Sequence, residues 1–153
     1  MQTFLPYASY ADSAKALDYR RLGKQRVEAW QILNVLYAES MVAGVKRGWQ
    51  HHPAVRMWKG SERALCVYGI MICEEWIRRG YKDTMRERFV SQLQCFAGRI
   101  TPPWFGSDDF HRAHQSNLVR KDPKFYGPLF PSVPDNLPYV WPIQMELSDA
   151  SNS

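Results

Sequence analysis

The side chains best suited to chemistry lie on one predicted helix near the start of the chain. When residues 17–36 are placed on a helical wheel, the carboxylate of Glu28 shares an arc with basic and amide side chains: Arg20, Arg21, Lys24, Gln25 and Gln31. This arrangement predicts a phosphate-binding stripe that contains one carboxylate. The alternative is a solvated helix face on which Glu28 pairs with Lys24 or Arg21. Arg26 falls among the apolar residues of the opposite arc, so it needs a partner or a pocket.

The histidines form two close pairs, His51 with His52 and His111 with His114. His111 and His114 are three residues apart on a predicted short helix, so both can face one site. That spacing is compatible with a metal ion, but no carboxylate motif such as HExxH accompanies it. We therefore expect contacts with phosphates or bases first, structural capping second and a metal site third. His52 precedes Pro53 at a predicted helix start, where it can cap the helix or bind an anion.

A second basic cluster lies further along the chain and is followed directly by Phe125 and Tyr126. It consists of Arg112, Arg120, Lys121 and Lys124. Basic residues beside aromatic ones suit a groove that contacts a nucleic-acid backbone, and a solvated loop with its aromatics in the core is the equally weighted alternative. Trp104 follows a double proline and precedes Phe105, which predicts a rigid, exposed aromatic side chain.

Capping residues and apolar periodicity predict an all-α domain that would position these side chains. Helices are expected from Asp12 or Ser13 to about Glu39, from Pro53 to about Arg79, from Asp83 or Thr84 to about Cys95, and from Ser107 or Asp108 to about Arg120. Six of the ten prolines lie at or after position 123, so irregular chain should wrap over the helices there. We predict one compact domain of three to four helices over residues 1–147 and a disordered tail over residues 148–153.

The composition limits the class of protein. A length of 153 residues fits one domain, and 45% hydrophobic with 23% charged residues excludes an intrinsically disordered chain. The net charge of +5 favours a polyanionic partner, and the 14% aromatic content suits stacking on bases. Three cysteines without a CxxC motif argue against a zinc finger or a disulfide framework. We expect no membrane contact, because no signal-peptide pattern and no apolar stretch of spanning length is visible.

Several short motifs carry a resemblance to a known family. The string ALDYRRLGK, residues 16–24, resembles the first-helix motif of the endonuclease V type pyrimidine-dimer DNA glycosylases, in which an acidic residue, Tyr and Arg precede a catalytic Glu. Four later segments occur in the same order along the chain as the corresponding segments of that family: residues 52–53, 78–81, 115–118 and 123–126. The strings MQTFLPY, RRLGKQRVEA, HHPAxxMW, FHRxH and PYVWP are similar to a bacterial and phage branch of it.

The resemblance implies a compact all-α DNA-binding fold, a chemistry without metal or other cofactor, and an N-terminal amine that attacks C1′ of the damaged nucleotide. This sequence departs from the family at two positions. Arg21 stands at the place of the catalytic Glu, and the bulky Gln2 stands where the family exposes the amine of a small residue after Met removal. Glu28, two turns along the same face, is the candidate carboxylate, and Met1 is the alternative source of the amine.

Residues and resemblance together predict a DNA glycosylase that flips damaged or modified pyrimidines out of double-stranded DNA and excises them, with AP-lyase activity as a further option. The catalytic assignments are Met1, Gln2, Arg21 and Glu28. The predicted DNA-binding residues, with Trp104 as a wedge, are Tyr19, Arg20, Lys24, Gln25, Arg26, His52, Trp104, His111, Arg112, His114, Arg120 and Lys121.

Two other classes of function stay open from the sequence. One is a non-catalytic DNA-binding protein that keeps the family's groove, an alternative that Arg21 favours. The other is a metal-dependent nucleic-acid hydrolase built on the four histidines. We expect a monomer that acts in the cytoplasm, associated with the nucleoid.

Overall fold

The computed structural model describes residues 1–41 and 50–142. Over these residues the chain forms seven helices and no strand, which confirms the predicted all-α class. The helices are α1 (Tyr10–Ala16), α2 (Tyr19–Met41), α3 (Pro53–Arg56), α4 (Glu62–Arg78), α5 (Arg86–Leu93), α6 (Asp108–Lys121) and α7 (Pro123–Tyr126). The predicted domain end at residue 147 and the predicted tail over residues 148–153 lie outside the described residues.

The first predicted helix is two helices. α1 begins at Tyr10, earlier than predicted, because the Ser9 hydroxyl caps it by accepting a hydrogen bond from the Asp12 amide at 3.1 Å. Leu17 then leaves the helical conformation with ψ of 139°, and its side chain is fully buried. α2 starts after Asp18, whose carboxylate accepts a hydrogen bond from the Arg21 amide at 3.4 Å. The prediction of one continuous helix is therefore wrong at residues 17 and 18.

The second predicted helix is also divided. His52 caps α3 as the sequence suggested, with its Nδ1 accepting a hydrogen bond from the Ala54 amide at 3.1 Å. α3 ends at Arg56, and the chain turns through Gly60, whose φ of +83° favours glycine, before α4 begins. The prediction of one helix from Pro53 to Arg79 is wrong over this turn. Gly80, with φ of +95°, follows the end of α4 as predicted.

The N-terminal segment, residues 1–8, forms neither helix nor strand and bends over residues 6–8, and its buried part lies in the core of the helical domain. All side chains from residue 2 to residue 6 are buried. α2 packs on α4, and α4 also packs on α1 and α5. The largest fully buried side chains of the described residues are Trp58, Tyr68, Tyr126, Phe89 and Phe110. Because the segment is enclosed, its backbone polar groups must find partners within the protein.

The C-terminal wrap, residues 127–142, has no long helix and contacts α6. Irregular chain over the helices was predicted, but α6 was not singled out. Its Leu137 amide donates to the Ser116 hydroxyl at 3.0 Å, and its Tyr139 ring meets the His114 ring edge-on at 5.8 Å between centroids. Within the described part of the chain, no helix combines the length and the apolar character needed to cross a membrane.

Candidate active site

A cavity of about 730 Å³ lies between the N-terminal segment, α2 and the junction of α6 with α7. It contains nine of the predicted site residues: Met1, Gln2, Tyr19, Arg20, Arg21, Lys24, Gln25, Glu28 and Lys121. Four further residues complete its lining, namely Phe4, Asp18, Asp122 and Phe125. The cations of α2, the candidate carboxylate and the start of the chain therefore line the same cavity.

Glu28 is the carboxylate at the inner wall of this cavity, and only 9% of the residue is exposed. Its Oε2 accepts hydrogen bonds from the Gln2 backbone amide at 3.3 Å and from Gln25 Nε2 at 3.0 Å. The Lys24 ammonium lies 3.6 Å from Oε1, but its side chain is 73% exposed, so this ion pair constrains the carboxylate little. The carboxylate is therefore held beside the backbone of residue 2 rather than turned toward solvent.

The N-terminal segment is fixed by hydrogen bonds along its length. The Trp58 indole donates to the Thr3 hydroxyl at 3.0 Å, and the Tyr68 hydroxyl lies 3.0 Å from the Phe4 carbonyl. Further along, the Gln115 side chain donates to the Pro6 carbonyl at 2.7 Å. The contacts at Thr3 and Phe4 adjoin residue 2 and hold it beside Glu28, whereas the Gln115 contact lies four residues further along the segment.

Arg21 is a fixed cation in the cavity wall. Its Nη1 lies 3.1 Å from Asp18 Oδ1, and its guanidinium lies 5.9 Å from the centre of the Tyr126 ring. The Tyr126 hydroxyl donates to Asp18 Oδ1 and accepts from the Asp18 amide. Burial opposes ionisation of Asp18, but the hydrogen bonds from Tyr126 and Arg21 lower its pKa overall. A guanidinium stays protonated, so Arg21 can bind an anion but cannot replace the carboxylate of the family motif.

The outer part of the cavity carries exposed cations and aromatic rings. Arg20 donates from Nε to the Tyr19 hydroxyl at 3.0 Å, and Tyr19 is 52% exposed. Lys24 and Lys121 are exposed on the two sides that α2 and α6 contribute, and Phe125 is 44% exposed beside them. Positive charge and aromatic surface at one opening are suited to a nucleic-acid backbone and its bases.

Sequence comparison assigns the family of this chain. The sequence profile of the pyrimidine dimer DNA glycosylase family matches residues 1–88. The chain belongs to this family. The match spans the N-terminal segment, α2 and α4, and thereby includes Glu28 and most of the cavity lining. No curated protein and no solved structure matches the chain.

Two histidines of this glycosylase-family chain support the N-terminal segment instead of lining the cavity. His114 Nδ1 accepts a hydrogen bond from the Leu5 amide at 2.9 Å. His111 Nδ1 donates to the Leu5 carbonyl at 2.8 Å, and its Nε2 accepts from the Gly106 amide at 3.0 Å. Burial lowers the pKa of His114 to about 3 and also lowers that of His111, so both rings are neutral at pH 7. These contacts agree with the structural role that was the second expectation from the sequence, and not with the first expectation, contact with phosphates or bases.

Arg26 has the partner that its place on the apolar arc required. Its Nε and Nη2 both lie 2.7 Å from Asp83 Oδ1, and its guanidinium lies 4.9 Å from the centre of the Trp76 ring. The Arg26 side chain is only 14% exposed. The structure places it between α2 and the start of α5, outside the cavity lining, which corrects its assignment as a DNA contact.

Trp104 is buried, and its predicted role as an exposed wedge is wrong. Only 5% of the residue is exposed, and its Nε1 donates to the Met57 carbonyl at 3.1 Å. The ring packs against Trp58 and Phe110 at centroid distances of 5.0 Å and 4.6 Å. Burial of so large an aromatic side chain outweighs the loop position that suggested exposure.

The remaining predicted DNA-binding residues lie outside the cavity lining. Arg112 is exposed beside a second cavity of about 410 Å³, and Arg120 is exposed and donates to the Asp135 carbonyl at 3.5 Å. His52 caps α3, and its pKa is lowered by burial and by the Met1 amino group while Glu28 raises it. His52 is therefore within electrostatic reach of both the chain start and the candidate carboxylate.

The described residues contain no group of three His, Cys, Asp or Glu side chains that could bind a metal ion.

Tyr68 on α4 was not predicted as part of the site, although its hydroxyl lies 2.7 Å from Gln25 Oε1. Its partners are 43 and 64 residues away, so no local pattern could have indicated this contact.

Proposed function

We propose that this chain is a DNA glycosylase that excises damaged or modified pyrimidines from double-stranded DNA, with Glu28 as the working carboxylate. The observation that carries the proposal is the Glu28 carboxylate, buried at the wall of a cation-lined cavity and 3.3 Å from the Gln2 backbone nitrogen. Membership of the pyrimidine dimer DNA glycosylase family supports the same class of reaction.

The reaction begins when a nucleotide leaves the duplex and enters the cavity. Arg20, Lys24 and Lys121 contact the phosphates around it, because these exposed cations lie at the opening. As the bond between base and sugar breaks, the base departs with the bonding electrons, and positive charge develops at C1′. The fixed Glu28 carboxylate stabilises that charge without having to reorient.

A nucleophilic amine extends the same proposal to a lyase. An unprotonated amine at the start of the chain, on Met1 or on Gln2 after Met removal, attacks C1′ as the base leaves with the electrons of its bond to the sugar, and the nitrogen then loses a proton. The sugar ring opens when the C1′–O4′ bond breaks and O4′ takes up a proton, which leaves a Schiff base between C1′ and the amine. Loss of a proton from C2′ then expels the 3′ phosphate. The 3.3 Å contact between the Gln2 nitrogen and Glu28 Oε2 places this end of the chain beside the carboxylate.

A non-catalytic DNA-binding protein is the second candidate. It is favoured by Arg21, which occupies the place of the family's Glu and is ion-paired with Asp18 at 3.1 Å. In this case the cavity would bind an extruded nucleotide without cleaving it.

Borohydride trapping separates the two candidates. Duplexes that are ultraviolet-irradiated, that contain a modified pyrimidine, or that are undamaged are incubated with the protein in the presence and absence of borohydride. We expect cleavage of the bond between base and sugar in one of the two altered duplexes and a covalent protein–DNA adduct with borohydride. Cleavage of that bond without an adduct would support a glycosylase and exclude the amine. Binding of all three duplexes without cleavage would establish the non-catalytic protein instead.

A further inference from the structure

Gln25 joins the N-terminal segment, α2 and α4 at one buried point, and only 1% of the residue is exposed. Its Nε2 donates to the Gln2 carbonyl at 2.9 Å and to Glu28 Oε2 at 3.0 Å. Its Oε1 accepts from the Phe4 amide at 3.0 Å and lies 2.7 Å from the Tyr68 hydroxyl. Both amide protons and the carbonyl oxygen of this one side chain are thus engaged.

This set of contacts admits one orientation of the Gln25 amide. If the amide were flipped, its oxygen would face the Glu28 carboxylate and the Gln2 carbonyl, which are both acceptors. Its nitrogen would then face the Phe4 amide, which is a donor. Burial raises the pKa of the Tyr68 phenol, so its hydroxyl keeps the proton that it can donate to Gln25 Oε1.

We propose that Gln25 is a positioning residue that holds the Glu28 carboxylate and the backbone of residue 2 in the arrangement used for excision. The inference rests on the proposed function, and it replaces the sequence-based assignment of Gln25 as a DNA contact, since the nitrogen and the oxygen of its amide are engaged by groups of the protein. A single amide bridges the carboxylate and the chain start, so loss of that bridge disturbs both partners together.

Substitution of Gln25 by Glu tests the bridge, because it keeps the size of the side chain and replaces the donating nitrogen with an oxygen. A second carboxylate then lies where Nε2 now lies, 3.0 Å from Glu28 Oε2. Two carboxyl groups at this distance share a proton, which raises the pH at which the pair is fully ionised. The other titratable groups that act on Glu28 are Lys24 on α2, His52 before α3, Tyr68 on α4 and Tyr139 on the C-terminal wrap.

Gln115→Glu is the matched control. Gln115 also ties the N-terminal segment to a helix, since its Nε2 donates to the Pro6 carbonyl at 2.7 Å, but that partner is a backbone group. A second pair of variants, Tyr68→Phe and Tyr10→Phe, removes one hydroxyl each. The Tyr68 hydroxyl lies against Gln25, whereas the Tyr10 hydroxyl donates to the Ile100 carbonyl at 3.0 Å.

Single-turnover excision between pH 5 and pH 9, duplex binding, and a carbon-13 NMR titration of the Glu28 carboxyl are measured for all four variants and the parent. We expect Gln25→Glu to move the acidic limb of the rate profile and the Glu28 titration upward by about one pH unit or more, which lowers excision near the limb about tenfold. Tyr68→Phe should slow excision with unchanged duplex affinity. Gln115→Glu and Tyr10→Phe should keep the parent's profile.

The outcomes distinguish this inference from the proposed function. The role of Gln25 would be overturned if Gln25→Glu had the same pH profile of excision as the parent, or if Gln25→Glu and Gln115→Glu changed that profile equally. Either result would leave the proposed glycosylase activity in place. If Gln25→Glu does not fold, an excision rate for Tyr68→Phe equal to that of Tyr10→Phe would overturn it as well. A parent protein that excises no base would reject the proposed function and the role in excision with it, whatever the NMR titration shows about the bridge.

Discussion

At the residue scale, Glu28 combines burial with hydrogen bonds from the Gln2 amide and Gln25 Nε2. Glu28→Gln keeps the size of the side chain and removes its charge. Loss of one fixed electrostatic partner of the transition state costs about 3–4 kcal/mol, so single-turnover excision should fall several hundredfold. Duplex affinity should hold or rise slightly, because a negative charge leaves a cavity lined by cations.

Glu39→Gln is the control for this prediction. Glu39 lies on the same helix and pairs with Lys59 at 3.0 Å on the protein surface, away from the cavity. We expect it to change stability by a few tenths of a kcal/mol and to leave excision unchanged. Equal excision rates for the parent and Glu28→Gln would remove Glu28 from the mechanism and direct attention to Asp18.

The sequence could predict which α2 residues lie near each other, but not the partners that decide their roles. Glu28, Arg21 and Lys24 line one cavity because the helical period alone places them on one side of α2. Arg26 and Gln25 depend on Asp83 and Tyr68, which are 57 and 43 residues away along the chain. A salt bridge and a buried amide contact over such separations are set by the packing of helices and leave no local pattern.

At the element scale, α6 supports the N-terminal segment through His114, whose ring accepts the Leu5 amide. The pKa of this imidazole is 6.5 in the unfolded chain and about 3 in the folded protein. Between these values the unfolded chain binds a proton that the folded protein does not, so the free energy of unfolding falls as the pH falls below about 6.5. The slope that His114 adds is at most about 1.4 kcal/mol per pH unit.

His114→Asn keeps an acceptor for the Leu5 amide and removes this titration. Urea unfolding at several pH values between 7.5 and 4.5 should show a shallower loss of stability in the variant than in the parent. The control His51→Asn removes an exposed imidazole and should keep the parent's pH dependence. An unchanged slope in His114→Asn would show that the ring takes up a proton as readily in the folded protein as in the unfolded chain.

The contact of α4 with α5 requires the absence of a side chain at Gly69. A Cβ atom there would lie 2.6 Å from the Phe89 Cδ1 and Cζ atoms, and Phe89 is fully buried against Trp30. Gly69→Ala should gain about 1 kcal/mol of helix propensity but lose about 1–3 kcal/mol to overpacking. We expect a net loss of stability in urea unfolding.

Phe89→Leu checks the cause of that loss. If the Phe89 ring is the obstacle, the double variant Gly69→Ala, Phe89→Leu should be less destabilised than the sum of the single variants. Additive losses would assign the effect of Gly69→Ala to another cause, such as a shift of the α4 backbone.

The element boundaries show which part of the fold local sequence can predict. The start of α6 after Ser107 and the end of α4 before Gly80 were both predicted from residues within a few positions, although the Ser107 side chain makes no capping hydrogen bond. The break between α1 and α2 was not, because the Asp18 amide donates to the Tyr126 hydroxyl, 108 residues further along. The turn at Gly60 was missed for a different reason. Its local signal, a glycine followed by a serine, was present but lay within an otherwise helical pattern.

At the scale of the whole molecule, the distribution of charge matters more than the net value of +5. Several basic side chains away from the cavity are engaged in ion pairs: Arg78 and Arg79 with Glu75, Arg86 with Glu74, and Lys59 with Glu39. At the cavity, Arg20 and Lys121 are exposed beside Lys24. The opening of the cavity is therefore the surface at which a duplex should displace counterions.

Duplex binding should consequently weaken steeply as salt rises, with little dependence on sequence. Each phosphate contact contributes about 0.9 to the slope of log affinity against log salt concentration, so Lys121→Gln should lower that slope by about 0.9. The measurement is a binding titration of one undamaged duplex at several salt concentrations between about 50 and 200 mM, for the parent and the variant.

Lys59→Gln provides the comparison that locates the effect. It removes the same charge from the whole molecule but from a site where Glu39 already pairs with it at 3.0 Å. If net charge alone governs binding, the two variants will show the same change in slope. If the cavity opening is the contact surface, only Lys121→Gln will change it, because counterions are released where phosphates replace them and not elsewhere. If the duplex affinity of the parent does not change with salt concentration, the result contradicts binding to DNA through this surface. It then also contradicts entry of a nucleotide into the cavity beside Glu28.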